Sequence, residues 1–141
     1  MSVQSLYEQI GGFDPILKLC KRWLALCLAD PEAAHPFEHD LHANHDERLA
    51  AYFAQAWGGP PLYTAGYGDE SHVQLIHAGN EIHVELDEAC IRLFETAVSE
   101  MAIPKEAAGR MTSYFRRATE EMRRFGSKDA AVPDGLPFNY A

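Results

Sequence analysis

The chain has 141 residues, 47% of them hydrophobic and 11% aromatic, which is apolar material for one substantial core but leaves no room for a second catalytic domain. Its 12 Lys and Arg face 21 Asp and Glu, a formal net charge of −9 that works against phosphate backbones and anionic lipid, so neither nucleic acid nor a membrane surface is an expected partner. No apolar run reaches the roughly 18 residues a bilayer-spanning helix needs. The opening MSVQSLYEQIGG also lacks the basic-then-apolar layout of an export signal, so the expected location is the cytoplasm.

The spacing of apolar residues is helical nearly everywhere, and no alternating stretch marks a strand, so the predicted class is all-α. A first helix around VQSLYEQI should close at Gly11-Gly12, where glycine can take the left-handed conformation. A second is expected from FDPILKL, capped by Asp14 with Pro15 in its first turn, and ending before Pro31. Its buried face reads Ile16, Leu17, Cys20, Trp23, Leu24 and Cys27. The segment PEAAHPFEHDLHANH is too broken for a long helix and, with Phe37 and Leu41, too apolar for a bare linker.

A third helix should open at Asn44 with Glu47 as reciprocal cap, burying His45, Leu49, Tyr52, Phe53, Ala56 and Trp57. WGGPP ends it, and LYTAGYGDES reads as a loop. After a short segment around His72 to His77 comes a long helix from about Val84 to Met101, with Ala89, Cys90, Leu93, Phe94, Ala97 and Met101 on one side. Pro104 opens the last helix, which aligns Ala108, Met111, Phe115, Ala118 and Met122 and closes near Gly126. Residues 1–126 are therefore expected to form one domain, and 127–141 an extension that is either disordered or docked through Leu136, Phe138 and Tyr140.

The three cysteines follow no disulfide pattern, and Cys20 and Cys27, seven apart on one helix, are separated by roughly 10 Å of rise. Reduced thiols are expected.

In HVQLIHAG the residues Val73, Ile76 and His77 fall at helical spacing, so one turn would aim His77 into an apolar interior, while His72 and His83 point elsewhere. An imidazole so placed is either hydrogen-bonded or metal-bound, because unsatisfied ring nitrogens there would cost about 1 to 3 kcal/mol. His45 is a second imidazole on a second apolar stripe, 32 residues earlier. Two such helices facing one another would suit a haem, for which neutral imidazole is a good axial ligand.

The span from Ser5 to about Gly126 resembles the truncated haemoglobins, most of all their second group, in the ordered pieces SLYEQIGG, LADP…HPF, DERL…AWGGP and HAGNEI. The pairs Gly11-Gly12 and Gly58-Gly59, together with His77, carry the joint signal. The resemblance implies a two-over-two helical sandwich binding one b-type haem, with His77 as the ligand of its iron and Phe37 packed on the porphyrin. It puts His45 and Leu49 on the distal side and Arg48 near the haem propionates, where a guanidinium suits a carboxylate. Phe53, Ile82 and Phe94 complete the expected lining.

Two positions depart from the family's pattern. Leu24 stands where the family usually has tyrosine, and Cys90 where its second group usually has tryptophan. His45 is then the one strong distal donor, the Cys90 thiol being a weak one. The implied ligands are oxygen, nitric oxide or carbon monoxide. Nitric oxide oxidation or peroxidase-like turnover would belong to the haem and would need a separate reductase.

Two other readings of the same residues remain. His35, His39, His42 and His45 recur at gaps of four, three and three and are candidate ligands for zinc or another transition metal. Alternatively the chain is a non-haem helical interaction or sensory module in which both key histidines are structural.

Overall fold

Ser5 starts the first helix, α1 (Leu6–Ile10), with a full reciprocal cap: its hydroxyl accepts from the Glu8 amide at 3.1 Å, and the Glu8 carboxylate accepts from the Ser5 amide at 3.2 Å. The computed structural model describes residues 4–38 and 41–141, and the remaining helices are α2 (Phe13–Leu28), α3 (His45–Ala56), α4 (Leu62–Gly66), α5 (Glu70–His77), α6 (Val84–Ser99) and α7 (Lys105–Glu121). Short 3-10 turns lie at His35–Phe37 and Met122–Phe125, and the described residues include no strand.

Helices α2 and α3 pack together, as do α6 and α7, and α2 also lies against α6. This is the two-over-two arrangement that the resemblance implies, and the molecule is all-helical as expected. Its centre is aromatic: Phe53 stacks on Trp57 with ring centroids 4.6 Å apart, and Phe94 on Phe115 at 4.0 Å. The buried faces follow the helical spacing read from the sequence, with Ile16, Cys20, Trp23 and Cys27 inward on α2 and Leu93, Phe94 and Ala97 inward on α6. Leu17 and Leu24 are only half-buried, while Leu19 is fully so.

The glycine pairs have a steric reason. Gly11 closes α1 at φ 107°, a conformation other residues resist. At Gly59 a Cβ would meet the Tyr7 ring at 2.6 Å and the Ala54 carbonyl at 2.8 Å, so only glycine lets α1 sit against the end of α3, where the Tyr7 amide donates to the Trp57 carbonyl at 2.7 Å.

Several local expectations are corrected. Helix α2 begins one residue before Asp14, with Gly12 at its cap, and Asp14 contributes charge to the first turn instead. Asn44 makes no side-chain cap; the His42 ring nitrogen Nδ1 accepts from the Asn44 amide at 2.9 Å, so the preceding loop and not Glu47 organises that start. LYTAGYGDES is not wholly loop. Residues 62–66 form α4 because Tyr63, 3% exposed, packs edge-to-face on Tyr52 at 5.5 Å, and Asp69 then caps α5 by accepting from the His72 amide at 2.8 Å.

The segment after Gly126 docks on the helices. Ser71 donates its hydroxyl to the Pro133 carbonyl at 2.7 Å and accepts from the Leu136 amide at 3.1 Å. Tyr114 donates to the Asn139 carbonyl at 2.6 Å, and Phe138 lies 4.7 Å from the Tyr52 ring. At the centre of this seam the buried Glu70 accepts from Tyr52 at 2.7 Å, from the Asn139 amide at 3.0 Å and from Gln74 at 3.0 Å. Among the described residues no helix is long and apolar enough to cross a membrane.

Candidate functional site

Helix α5 is only two turns long, and it presents His77 at its C-terminal end. Nδ1 of that ring lies 2.8 Å from the Val73 carbonyl one turn earlier, so it donates there and the proton is held on Nδ1. Nε2 then carries the lone pair and has no protein partner among the described residues. His77 is exposed, and yet surrounding protein strips away enough water to push its pKa below the usual histidine value. The Val73 carbonyl opposes that fall, and His45, close enough to be felt as a like charge, adds to it.

The apolar surroundings of this ring correct one expectation. Val73 is buried at 8% exposure, but Ile76 is 56% exposed and does not share its interior. Leu75, Ile82 and Val84 are likewise 62%, 55% and 48% exposed, so the end of α5 and the loop into α6 leave large apolar side chains uncovered. The Met122–Phe125 turn packs against α5, and the Gly79 amide donates to the Phe125 carbonyl at 2.9 Å, but these contacts leave the four side chains uncovered.

On the other side, His45 opens α3, half-buried, with its Nδ1 3.4 Å from Asp46 and its ring edge-to-face on Phe37 at 5.7 Å. Phe37 is in turn edge-to-face on Trp23 at 5.5 Å. Leu24, Leu49 and Cys90 are half-buried on α2, α3 and α6. Phe53 and Phe94, at 3% and 1% exposure, belong to the aromatic core behind them. Arg48 lies with its guanidinium 5.0 Å from the Tyr67 ring centroid and close to Tyr63, whose pKa burial raises and Arg48 lowers.

Two contributors escaped the sequence reading. Trp23 was read as a core residue, but its indole N–H donates to the Cys90 carbonyl at 3.0 Å and sets the register of α6 against α2. The spacing makes Cys27 a core residue too, yet its thiol lies close enough to that of Cys90 for each to shift the other's pKa. Nothing in the spacing within one helix announces a partner on another.

The described residues bring no three His, Cys, Asp or Glu side chains together as a metal site, and His39, one of the four loop histidines, lies outside them.

Residues 5–124 match the model of the bacterial-like globins. The chain belongs to that family. Among solved structures it is similar to the haemoglobin of the thermophilic phototroph Chloroflexus aurantiacus, at 29% identity over 85% of this chain and 98% of that one, TM-score 0.75. It is also similar to the thermostable haemoglobin of the actinobacterium Thermobifida fusca, at 25% identity over 93% and 100%, TM-score 0.74. The group II truncated haemoglobin of Bacillus anthracis shares the fold, at 21% identity over 86% and 92%, TM-score 0.77. The fold of this globin is that of the truncated haemoglobins, and membership of its family implies a haem.

The residues present fit that group: an imidazole with one nitrogen locked and the other free, apolar side chains left uncovered beside it, and a second imidazole within electrostatic reach.

Proposed function

We propose that this globin binds one b-type haem through Nε2 of His77 and reversibly holds oxygen, nitric oxide or carbon monoxide. The observation that carries the reading is the His77 ring, fixed by Val73 and neutral near pH 7, since a protonated imidazole cannot ligate. When bound, the haem would supply the open iron position at which a diatomic ligand is held.

The chain's own residues do the rest. The Val73 carbonyl orients His77 and raises the basicity of its free nitrogen. Phe37, braced edge-on by Trp23, Ile82, Leu24 and Leu49 would bury the porphyrin's apolar faces, while Phe53 and Phe94 back them from the core. Arg48, turned from the Tyr63 and Tyr67 pair, would meet a propionate. His45 is the strong hydrogen-bond donor of the distal side, or itself a sixth ligand, and Cys90 is a weak donor. Sustained turnover, such as nitric oxide oxidation, would need electrons from a separate reductase. Three free thiols accord with a reducing, cytoplasmic setting.

Ferric and ferrous absorption spectra of the purified chain, His77→Gly and His45→Ala test this. Wild type should show a haem Soret band on addition of hemin; His77→Gly should lose it or shift it, with recovery on adding imidazole; and His45→Ala should change the ferric spectrum or the oxygen off-rate. A His77→Gly spectrum identical to wild type, indifferent to imidazole, would overturn the assignment of His77. A chain that gains no Soret band at all would favour the non-haem helical module.

A further inference from the structure

Helices α2 and α6, packed against each other, carry two thiols, Cys27 and Cys90, of which the haem reading gives only Cys90 a part, as a weak donor. Trp23 donates to the Cys90 carbonyl at 3.0 Å, and seven residues on, just past the end of α2, Asp30 pairs with Arg92 at 3.1 Å. These two cross-links hold the helices in register on either side of Cys27, which sits one turn beyond Trp23. Cys27 is fully buried and Cys90 half-buried, and the two thiols are close enough for each to shift the other's pKa.

We propose that Cys27 and Cys90 are a redox-active dithiol, a modification site that closes to a disulfide by exchange with small disulfides. The arrangement assigns an order to the two sulfurs. Cys90 is the one a reagent can reach, and the neighbouring Cys27 thiol lowers its pKa, whereas the Cys90 thiol and burial raise that of Cys27. The Cys90 thiolate attacks one sulfur of the reagent disulfide; a new S–S bond forms, the reagent's own S–S bond breaks, and one thiol departs with the proton Cys90 has given up. Cys27 then attacks the Cys90 sulfur of this mixed disulfide, its proton passing to the second departing thiol. Two protein thiols are oxidised and one external disulfide is reduced to two thiols.

Bond formation draws the two sulfurs together to about 2.05 Å. That movement lies in the wall formed by α2 and α6, which also carries Leu24. Cys20 is an internal control: it is fully buried two turns earlier on α2, and burial holds its pKa well above the thiol range.

The test equilibrates the purified full chain with graded ratios of 2-hydroxyethyl disulfide to 2-mercaptoethanol, quenches with acid and N-ethylmaleimide, and maps the products by mass spectrometry. The expected result is the paired loss of two of the three thiols, a Cys27–Cys90 linked peptide lighter by two hydrogens, alkylated Cys20, and full reversal by dithiothreitol. Cys27→Ser should stop at a mixed disulfide on Cys90, and Cys90→Ser should leave Cys27 unmodified. A lasting mixed disulfide on wild-type Cys90 without the internal link, equal loss of Cys20, or three intact thiols at the most oxidising ratio would each overturn the proposal. None of these readouts depends on haem.

Discussion

Glu70 offers the sharpest test of how the helix that carries His77 is held. It is 3% exposed, and its two carboxyl oxygens accept from three donors: Tyr52 and the Asn139 amide on Oε1, Gln74 on Oε2. Replacing it by glutamine turns one oxygen into a donor. In one orientation of the new amide its N–H faces the Asn139 N–H; in the other the Gln74 amide must flip to accept, which strands the Gln74 NH2, so either way a buried donor loses its acceptor, at about 1–3 kcal/mol. Glu70→Ala strands all three donors and should cost about 3 kcal/mol or more, whereas Tyr52→Phe removes one donor, leaves Glu70 two, and should cost about 1–2 kcal/mol. With a urea m-value of about 2 kcal/mol/M, a loss of 2 kcal/mol lowers the unfolding midpoint by about 1 M. Urea titrations followed by circular dichroism should rank the variants wild type, Tyr52→Phe, Glu70→Gln, Glu70→Ala in order of falling midpoint. A Glu70→Gln midpoint within about 0.2 M of wild type, or Tyr52→Phe less stable than Glu70→Ala, would refute the reasoning.

Two further outcomes are expected. Gly59→Ala must push the Tyr7 ring or the α3 end aside, because the new Cβ would lie 2.6 Å from that ring and 2.8 Å from the Ala54 carbonyl; a loss of about 1–3 kcal/mol in thermal or urea unfolding checks it, and an unchanged midpoint would contradict the packing described. Because the folded-state pKa of His77 lies below its unfolded value, protonation favours the unfolded chain. In the haem-free protein His77 therefore subtracts nothing above about pH 6.5 and increasingly destabilises as pH falls from there through the folded value. Urea midpoints measured between pH 7.5 and 5 should accordingly fall less steeply for His77→Asn than for wild type, and parallel curves would sink the linkage.

What was legible in the chain before folding was whatever repeats along one helix or rests on backbone geometry. Helical spacing exposed the inward faces of α2, α6 and α7, the reciprocal cap at Ser5 and Glu8 marks a helix start, and paired glycines mark close approaches. His77 at a helix end, with a backbone carbonyl four residues earlier to receive Nδ1–H, is a local arrangement too. Relations between helices were beyond reach, because one-dimensional periodicity says which side of a helix is buried but not what meets it. Folding alone set Trp23 on the Cys90 carbonyl, brought Cys27 near Cys90, laid Pro133, Leu136 and Asn139 along Glu70 and Ser71, and left Ile76 uncovered where spacing placed it inside. Short elements such as α4 also escaped notice, since a single turn is too brief to be stable by propensity and exists here because Tyr63 has Tyr52 to pack against.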